Sequence, residues 1–214
     1  MKNYFLIAVL LVSSVVQGQS IANSSVKEVI TIKNYRKYVP FNQTIDALNP
    51  NYALFDACMQ FSINEQRAKF HLSVLPWNIA LEAAAYYHSK AMSEYSFFSH
   101  YNMLDSSRLN AESRSQLAGI MNPLNGECIA QMSLLKPTYL GMCDEFIKLW
   151  MNSPPHRKII LSENANAIGL GFYINDKADI YATMDVQCYR IAVFNPSKAV
   201  DKLPYTSFFE AYQN

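Results

Sequence analysis

The chain has 214 residues, of which 50% are hydrophobic, 13% aromatic and 16% charged. This composition supports a buried core and excludes a disordered, highly charged chain. Without residues 1–18, a predicted signal that holds one lysine and no acid, 17 basic side chains face 17 acidic ones. A net charge of zero removes the electrostatic argument for nucleic acid or an anionic membrane as the main partner.

Residues 1–18 have the pattern of a secretory signal. Lys2 precedes an apolar run, Tyr4–Val16, that only two serines interrupt. Val16 and Gly18 then place small or compact side chains at the third and first positions before a cleavage point at Gln19. The alternative is an N-terminal membrane anchor, but the run is short for the roughly 20 apolar residues that a span requires. We therefore expect a secreted or extracellular protein (periplasmic in a bacterium) with no transmembrane segment after cleavage.

The remaining chain divides by composition into three parts. We interpret residues 19–48 as an extended arm, residues 49–190 as the folded domain and residues 191–214 as a C-terminal tail. Helical spacing of apolar residues predicts a first helix from about Pro50 to Lys69, with Asn49 as its N-cap. A second helix follows Pro76 and ends near Ser96.

Two further helices are expected before the chain changes character. Ser106 or Asp105 can cap a third helix that runs through Leu117. Residues 142–152 predict a fourth helix, which the prolines at 154 and 155 must stop.

The last third of the chain predicts strands. Ala167–Ile174 and Ile180–Tyr189 are rich in β-branched and aromatic residues, and residues 175–179 have the composition of a turn. In the second strand Met184 lies on the apolar face and Asp185 on the opposite one. Helices followed by a hairpin predict an α+β fold, specifically a three-layer α-β-α sandwich with an antiparallel sheet.

All four cysteines lie beyond the predicted signal. An even number in a secreted chain predicts two disulfides, for which three pairings exist. We favour Cys128–Cys143, which closes a short loop, and Cys58–Cys188, which ties the first helix to the last strand. None of the four has the spacing of a zinc-binding motif.

Few side chains are candidates for chemistry. His88 lies in the apolar stripe of the second helix, so we interpret it as a core residue. His100 and His156 each follow the end of a predicted helix, where functional side chains are often placed. Glu127 enters an apolar run after a glycine, so it either anchors backbone donors or faces a polar cavity with a histidine. The motifs of serine hydrolases, phosphate loops and dinucleotide sites are absent.

These pieces together resemble the CAP superfamily of cysteine-rich secretory proteins, venom allergens and pathogenesis-related proteins, in its bacterial form. The similarity extends over about residues 49–189, and its ordered motifs are Asn64-Glu65-Gln66-Arg67, Leu75-Pro76-Trp77-Asn78, Phe98-Ser99-His100, Gly126-Glu127-Cys128-Ile129-Ala130, Ser153-Pro154-Pro155-His156-Arg157, Ile168-Gly169-Leu170-Gly171 and Tyr181-Ala182-Thr183. The resemblance implies an α-β-α sandwich with a surface cavity.

In eukaryotic relatives that cavity carries two histidines and two glutamates, and some of these proteins bind a divalent metal there. By motif, His100, Glu127 and His156 match three of the four positions, and Ser153 occupies the fourth. Glu145 lies upstream as a candidate substitute for the missing glutamate. Cys128 and Met184 also replace residues that are common in the family, an asparagine and a glutamine.

Two functions follow from this resemblance. The first is a secreted, non-catalytic binding module. Its cavity would hold a divalent cation, such as zinc on His100 and His156, or a small or lipid-like ligand; alternatively, the module would recognise an extracellular partner. The second is a metal-dependent hydrolase in which the two histidines hold the cation and Glu127 is the general base. A purely structural cluster, in which Glu127 bonds an imidazole and backbone donors, is the third alternative.

Overall fold

The computed structural model describes residues 29–211, in which three helices precede the first strand; the predicted signal lies outside these residues. The helices are α1 (Tyr52–Lys69), α2 (Ile79–Glu94), α3 (Ala111–Leu117), α4 (Tyr139–Asn152), α5 (Pro154–Ile160) and α6 (Phe208–Ala211). The strands are β1 (Asn125–Ser133), β2 (Ala165–Ile174) and β3 (Asp179–Cys188).

The three strands form one antiparallel sheet in the order β1-β3-β2. Alternate residues of β2 face opposite layers: Leu170 and Phe172 lie in the main core with α1 and α4, whereas Ala167 lies in a second core with α2. The α+β class and the three-layer arrangement predicted from the sequence are confirmed.

Helix α2 lies very close to β2, and two glycines permit the approach. A Cβ atom on Gly169 would overlap the backbone of Leu81 and Glu82, and one on Gly171 would overlap the backbone of Tyr86. Glycine is therefore required by the packing of helix on strand. This packing fixes the position of α2, whose C-terminal end leads into the loop that carries His100.

Several predicted boundaries are wrong, because the capping residue was misassigned. Helix α1 is capped by Asn51, whose side chain accepts from the N–H of Leu54, and not by Asn49. Asp105 caps only a short 3-10 turn, and α3 is capped by Asn110 in a reciprocal box with Ser113. The proline at 154 ends α4 but also begins α5, since proline is well suited to a first helical position.

The described part of the predicted arm is not extended. Residues 35–37 and 39–42 form 3-10 turns, and Tyr35 and Phe41 are buried in the main core. Near the other end, Phe208 and Phe209 of α6 enter the same core. The local polarity of these segments concealed their aromatic contacts. Their division from the domain stays a prediction.

All four cysteines are buried free thiols, so neither predicted disulfide is formed. The sulfur of Cys128 contacts the carbonyl of His156 at 3.8 Å, on the side of α5. The thiol of Cys143 instead interacts with that of Cys58, because α4 lies beside α1. Sequence separation favoured the short loop, whereas helix packing determines the neighbours.

Candidate functional site

Glu127 occupies the centre of a polar cluster. It lies on β1. Its Oε1 accepts a hydrogen bond from Nδ1 of His100 at 2.7 Å, and its Oε2 forms an ion pair with the guanidinium of Arg114. The side chain of Arg114 is 1% exposed and that of Glu127 6%, whereas that of His100 is 48% exposed. The imidazole of His100 therefore lies between a buried ion pair and solvent.

The loop that carries His100 is held by a second histidine. Nε2 of His88, in α2, donates to the carbonyl of Ser99 at 3.0 Å. Burial, reinforced by the positive charge of Arg114, lowers the pKa of His88 to about 4. His88 is therefore a neutral core residue, as its place in the apolar stripe predicted.

Two opposing effects act on the Glu127 carboxyl. Burial raises its pKa, but the hydrogen bond from His100 and the charge of Arg114 outweigh burial and leave the pKa below its ordinary value. Glu127 is thus a stable carboxylate at neutral pH. A carboxylate that holds its charge this firmly is a weak proton acceptor.

Asp185 is a member of the cluster that the sequence analysis did not single out. It lies opposite Glu127 in the register of β1 and β3, is fully buried, and neither carboxyl oxygen has a hydrogen-bond partner among residues 29–211. Burial, reinforced by the negative charge of Glu127, raises its pKa well above the ordinary value, so Asp185 is a neutral acid. The alternation of residues in the predicted strand indicated which face Asp185 occupies. Its neighbour Glu127 could not be identified, because β1 was not predicted.

Arg114 was also missed. It lies on α3, and its guanidinium also donates to the carbonyl of Arg108 at 3.2 Å and to that of His100 at 3.3 Å. No motif marked this residue; the signal that would have found it is an arginine among the otherwise buried positions of a short helix. Arg114 is the counterion of Glu127.

His156 lies in the first turn of α5 and is half-buried. Burial lowers its pKa, and the charge of the His100 imidazole lowers it further. That the two histidines share one site stays a prediction. Ser153 is the N-cap of α5 without a side-chain capping bond. Glu145 pairs with Lys136 at 3.8 Å, and its role as a substitute for the missing glutamate stays a prediction.

Metal binding is limited by the two bonds that Glu127 already makes. Within residues 29–211, no group of three or more His, Cys, Asp or Glu side chains has the geometry to hold a metal ion. Each oxygen of Glu127 already accepts one bond, from His100 or from Arg114, so a cation at Glu127 would compete with a buried ion pair. The donors that remain at the opening are the imidazoles of His100 and His156.

A separate surface pocket of about 360 Å³ opens beside the loop between α2 and α3. Its lining combines aromatic and charged side chains, including Tyr87, Lys90, Glu94 and Arg108. None of the four residues predicted to line the cavity contributes to it. Its charged walls are unlike the apolar lining that ligand cavities usually have.

A protein-family model matches most of the folded part of the chain. The model of the cysteine-rich secretory protein family, CAP, matches residues 61–186, more than half of the chain. The chain belongs to the CAP family. The matched CAP region contains His100, Arg114, Glu127, His156 and Asp185. No curated protein matches the chain.

Three solved structures are similar to part of this chain. An extracellular protein with an SCP domain from Bacillus anthracis is 25% identical, with a TM-score of 0.50 over 64% of this chain and 41% of its own. An outer surface protein of Borrelia burgdorferi is 18% identical, with a TM-score of 0.51 over 69% of this chain and 98% of its own. A cysteine-rich secretory protein of Staphylococcus aureus is 15% identical, with a TM-score of 0.46 over 64% of this chain and 40% of its own.

The chain spans about two fifths of the Bacillus and Staphylococcus proteins. Between residues 29 and 211, no helix has the length and apolar character that crossing a membrane requires.

Proposed function

We propose that this CAP protein is exported and acts as a non-catalytic binding module, in which His100 and His156 bind a divalent cation such as zinc weakly. The observation that carries the proposal is that Glu127 accepts a bond on each of its oxygens, from His100 on one and from Arg114 on the other. A carboxylate bound to both partners orients the imidazole of His100, and its lowered pKa makes it a weak base toward a water molecule.

The contact between His100 and Glu127 suits metal binding. A histidine that ligates a metal commonly donates its other ring N–H to a carboxylate, which fixes the tautomer and directs the free nitrogen outward. Nδ1 of His100 donates to Glu127 in this way, so Nε2 is the nitrogen available for a cation. Two imidazoles are fewer than the three protein ligands of catalytic zinc sites, so the affinity is expected to be low.

The metal-dependent hydrolase is disfavoured by the same geometry. A general base must reach the reacting water and have a pKa near the working pH. Glu127 has a lowered pKa and is paired with a buried guanidinium, and Asp185 is fully buried and neutral. Neither carboxyl therefore meets the requirement.

A lipid-like ligand is the second candidate, because apolar side chains flank His100 in sequence. Phe98, Tyr101, Met103 and Leu104 are exposed by 52%, 56%, 81% and 68%. Exposed apolar residues that follow one another in a single loop favour contact with an apolar ligand or partner outside the cell.

Zinc titration calorimetry tests the cation site. We expect binding in the parent protein, loss of binding in His100→Ala and in His156→Ala, and unchanged binding in His71→Asn. His71 is a matched control because it is exposed and lies in a left-handed conformation, φ 59°, that asparagine tolerates. Binding should also weaken in acid, since ligation requires neutral imidazole, and the lowered pKa of His156 places the protonation of that ligand below about pH 6.5. No heat at millimolar zinc, or equal binding by all variants, would reject the site.

Export is tested by N-terminal sequencing of protein recovered from the medium of a secreting host. The expected first residue is Gln19. An intact Met1 in the membrane fraction would contradict this part of the proposal.

A further inference from the structure

Two of the four buried thiols are neighbours across a helix interface. Cys58 lies in α1 and Cys143 in α4, both side chains are 0% exposed, and the two thiols interact directly. The helices α1 and α4 pack side by side in the main core.

Contacts on both sides of the two cysteines hold these helices together. The ring of Phe55, one turn before Cys58, lies 5.5 Å from the ring of Tyr139 and 6.4 Å from that of Phe146, which bracket Cys143 in α4. Farther along, Arg36 donates to Glu65 of α1 at 2.9 Å and to Asp144 of α4 at 3.0 Å. The juxtaposition of the thiols is therefore a consequence of a well-anchored interface.

The other two thiols are placed differently. The sulfur of Cys128 contacts the carbonyl of His156, and that of Cys188 contacts the carbonyl of Val186 at 3.6 Å. Both contacts are to backbone oxygen. The cysteines thus divide into one adjacent pair, Cys58 and Cys143, and two thiols that contact backbone carbonyls.

We propose that Cys58 and Cys143 form a disulfide that ties α1 to α4 in the exported protein. The proposal rests on the export proposed above, because disulfides persist in oxidising compartments. The oxidant is a disulfide of a small molecule or of an oxidoreductase. One thiolate attacks it to form a mixed disulfide and releases one thiol, and the second thiolate then displaces the other. Two protein thiols lose two electrons and two protons, and the oxidant becomes two thiols.

The bond must form while the helices dock. Burial raises the pKa of the Cys143 thiol well above its usual range, and the adjacent Cys58 thiol raises it further. Because the thiolate is the nucleophile, a thiol in the completed core reacts slowly. Oxidation therefore belongs to folding after export, when the pair is still accessible.

Refolding in a glutathione redox buffer tests the geometry independently of export. The full chain, purified reduced in denaturant, is refolded, alkylated before and after unfolding, and mapped by non-reducing peptide mass spectrometry. We expect one cross-linked peptide pair containing Cys58 and Cys143, with Cys128 and Cys188 alkylated only after unfolding. Four free thiols, or a cross-link through Cys128 or Cys188, would overturn the assignment. The same map of protein from the medium tests export separately.

Variants separate the bond from ordinary packing. Reduction should lower the thermal midpoint of the refolded parent and of Cys128→Ala, which keeps the pair. Reduction should leave the midpoint of Cys58→Ala and of Cys143→Ala unchanged, because neither can form the bond. An equal response to reduction in Cys58→Ala and the parent would contradict the proposal. If Cys58→Ala and Cys143→Ala both fail to fold, the peptide map of the parent still decides it.

Discussion

Two regions of the molecule bury carboxyl groups, and these regions compensate the cost of burial in opposite ways. At the candidate site, Glu127 is paired with the guanidinium of Arg114 and with His100, which keep its pKa below the ordinary value. In a second region, Asp56 of α1 and Glu82 of α2 interact with each other, and burial raises both pKa values, that of Glu82 to about 7. A cationic partner preserves charge, whereas a second carboxyl requires a shared proton.

The carboxyl pair holds the C-terminal segment in place. The hydroxyl of Tyr205 donates to Asp56 at 2.7 Å, and that of Ser207 donates to Glu82 at 2.8 Å. Trp77 also donates to Glu82, and the acid Glu210 adds to the raised pKa of Glu82. The neighbours that set these pKa values are therefore neutral or acidic. The charged cluster faces solvent through His100, while the protonated pair has a structural role.

Arg114→Met should produce the largest effect, because it leaves Glu127 buried without its cation. Breaking a buried ion pair costs about 3–5 kcal/mol. The free energy of unfolding, measured by urea denaturation at pH 7, should fall by that amount. The matched control is Lys69→Met, since Lys69 is 55% exposed in its pair with Glu65 and such pairs contribute about 1 kcal/mol or less. Equal losses in the two variants would show that burial does not distinguish these ion pairs.

Glu82→Gln should have the next largest effect, on the pH dependence of stability. An acid whose pKa is raised on folding stabilises the protein below its unfolded value, 4.5, and this contribution is lost as the pH rises to about 7. The loss amounts to up to roughly 3 kcal/mol. His88, with a pKa lowered to about 4, gives the opposite slope between pH 4 and 6.5.

For this reason the Glu82 contribution is measured as the difference between the parent and Glu82→Gln in urea denaturation from pH 4.5 to 8. The stability of the variant should gain relative to the parent as the pH rises. A constant difference across this range would mean that Glu82 is ionised throughout, and the contrast with Glu127 would disappear.

Tyr205→Phe should give the smallest effect and tests the link between the pair and the C-terminal segment. Loss of the hydroxyl leaves an oxygen of Asp56 without its donor, which costs about 1–2 kcal/mol. Tyr87→Phe is the control, because its hydroxyl bonds the carbonyl of Lys202 at an exposed position. Thermal unfolding of both variants measures the difference. A larger loss for Tyr87→Phe would indicate that the segment is not anchored through Asp56.

The sequence by itself determined the elements whose pattern is local. Apolar spacing located α1 and α2, and alternating residues located the β2–β3 hairpin, because a side chain's face depends only on the period of its own element. The same reasoning placed His88 in the core. The ordered motifs indicated the family and brought His100, Glu127 and His156 to notice.

Only the tertiary structure decided which side chains meet. Asp185 faces Glu127 through the register of β1 and β3, Arg114 reaches Glu127 from α3, and Cys143 meets Cys58 across α1 and α4. Such contacts depend on how separate elements pair and cross, and single-element periodicity contains no information about either. For that reason the candidate ligands could be named from sequence, whereas the ionisation of Glu127 and the pairing of the thiols could not.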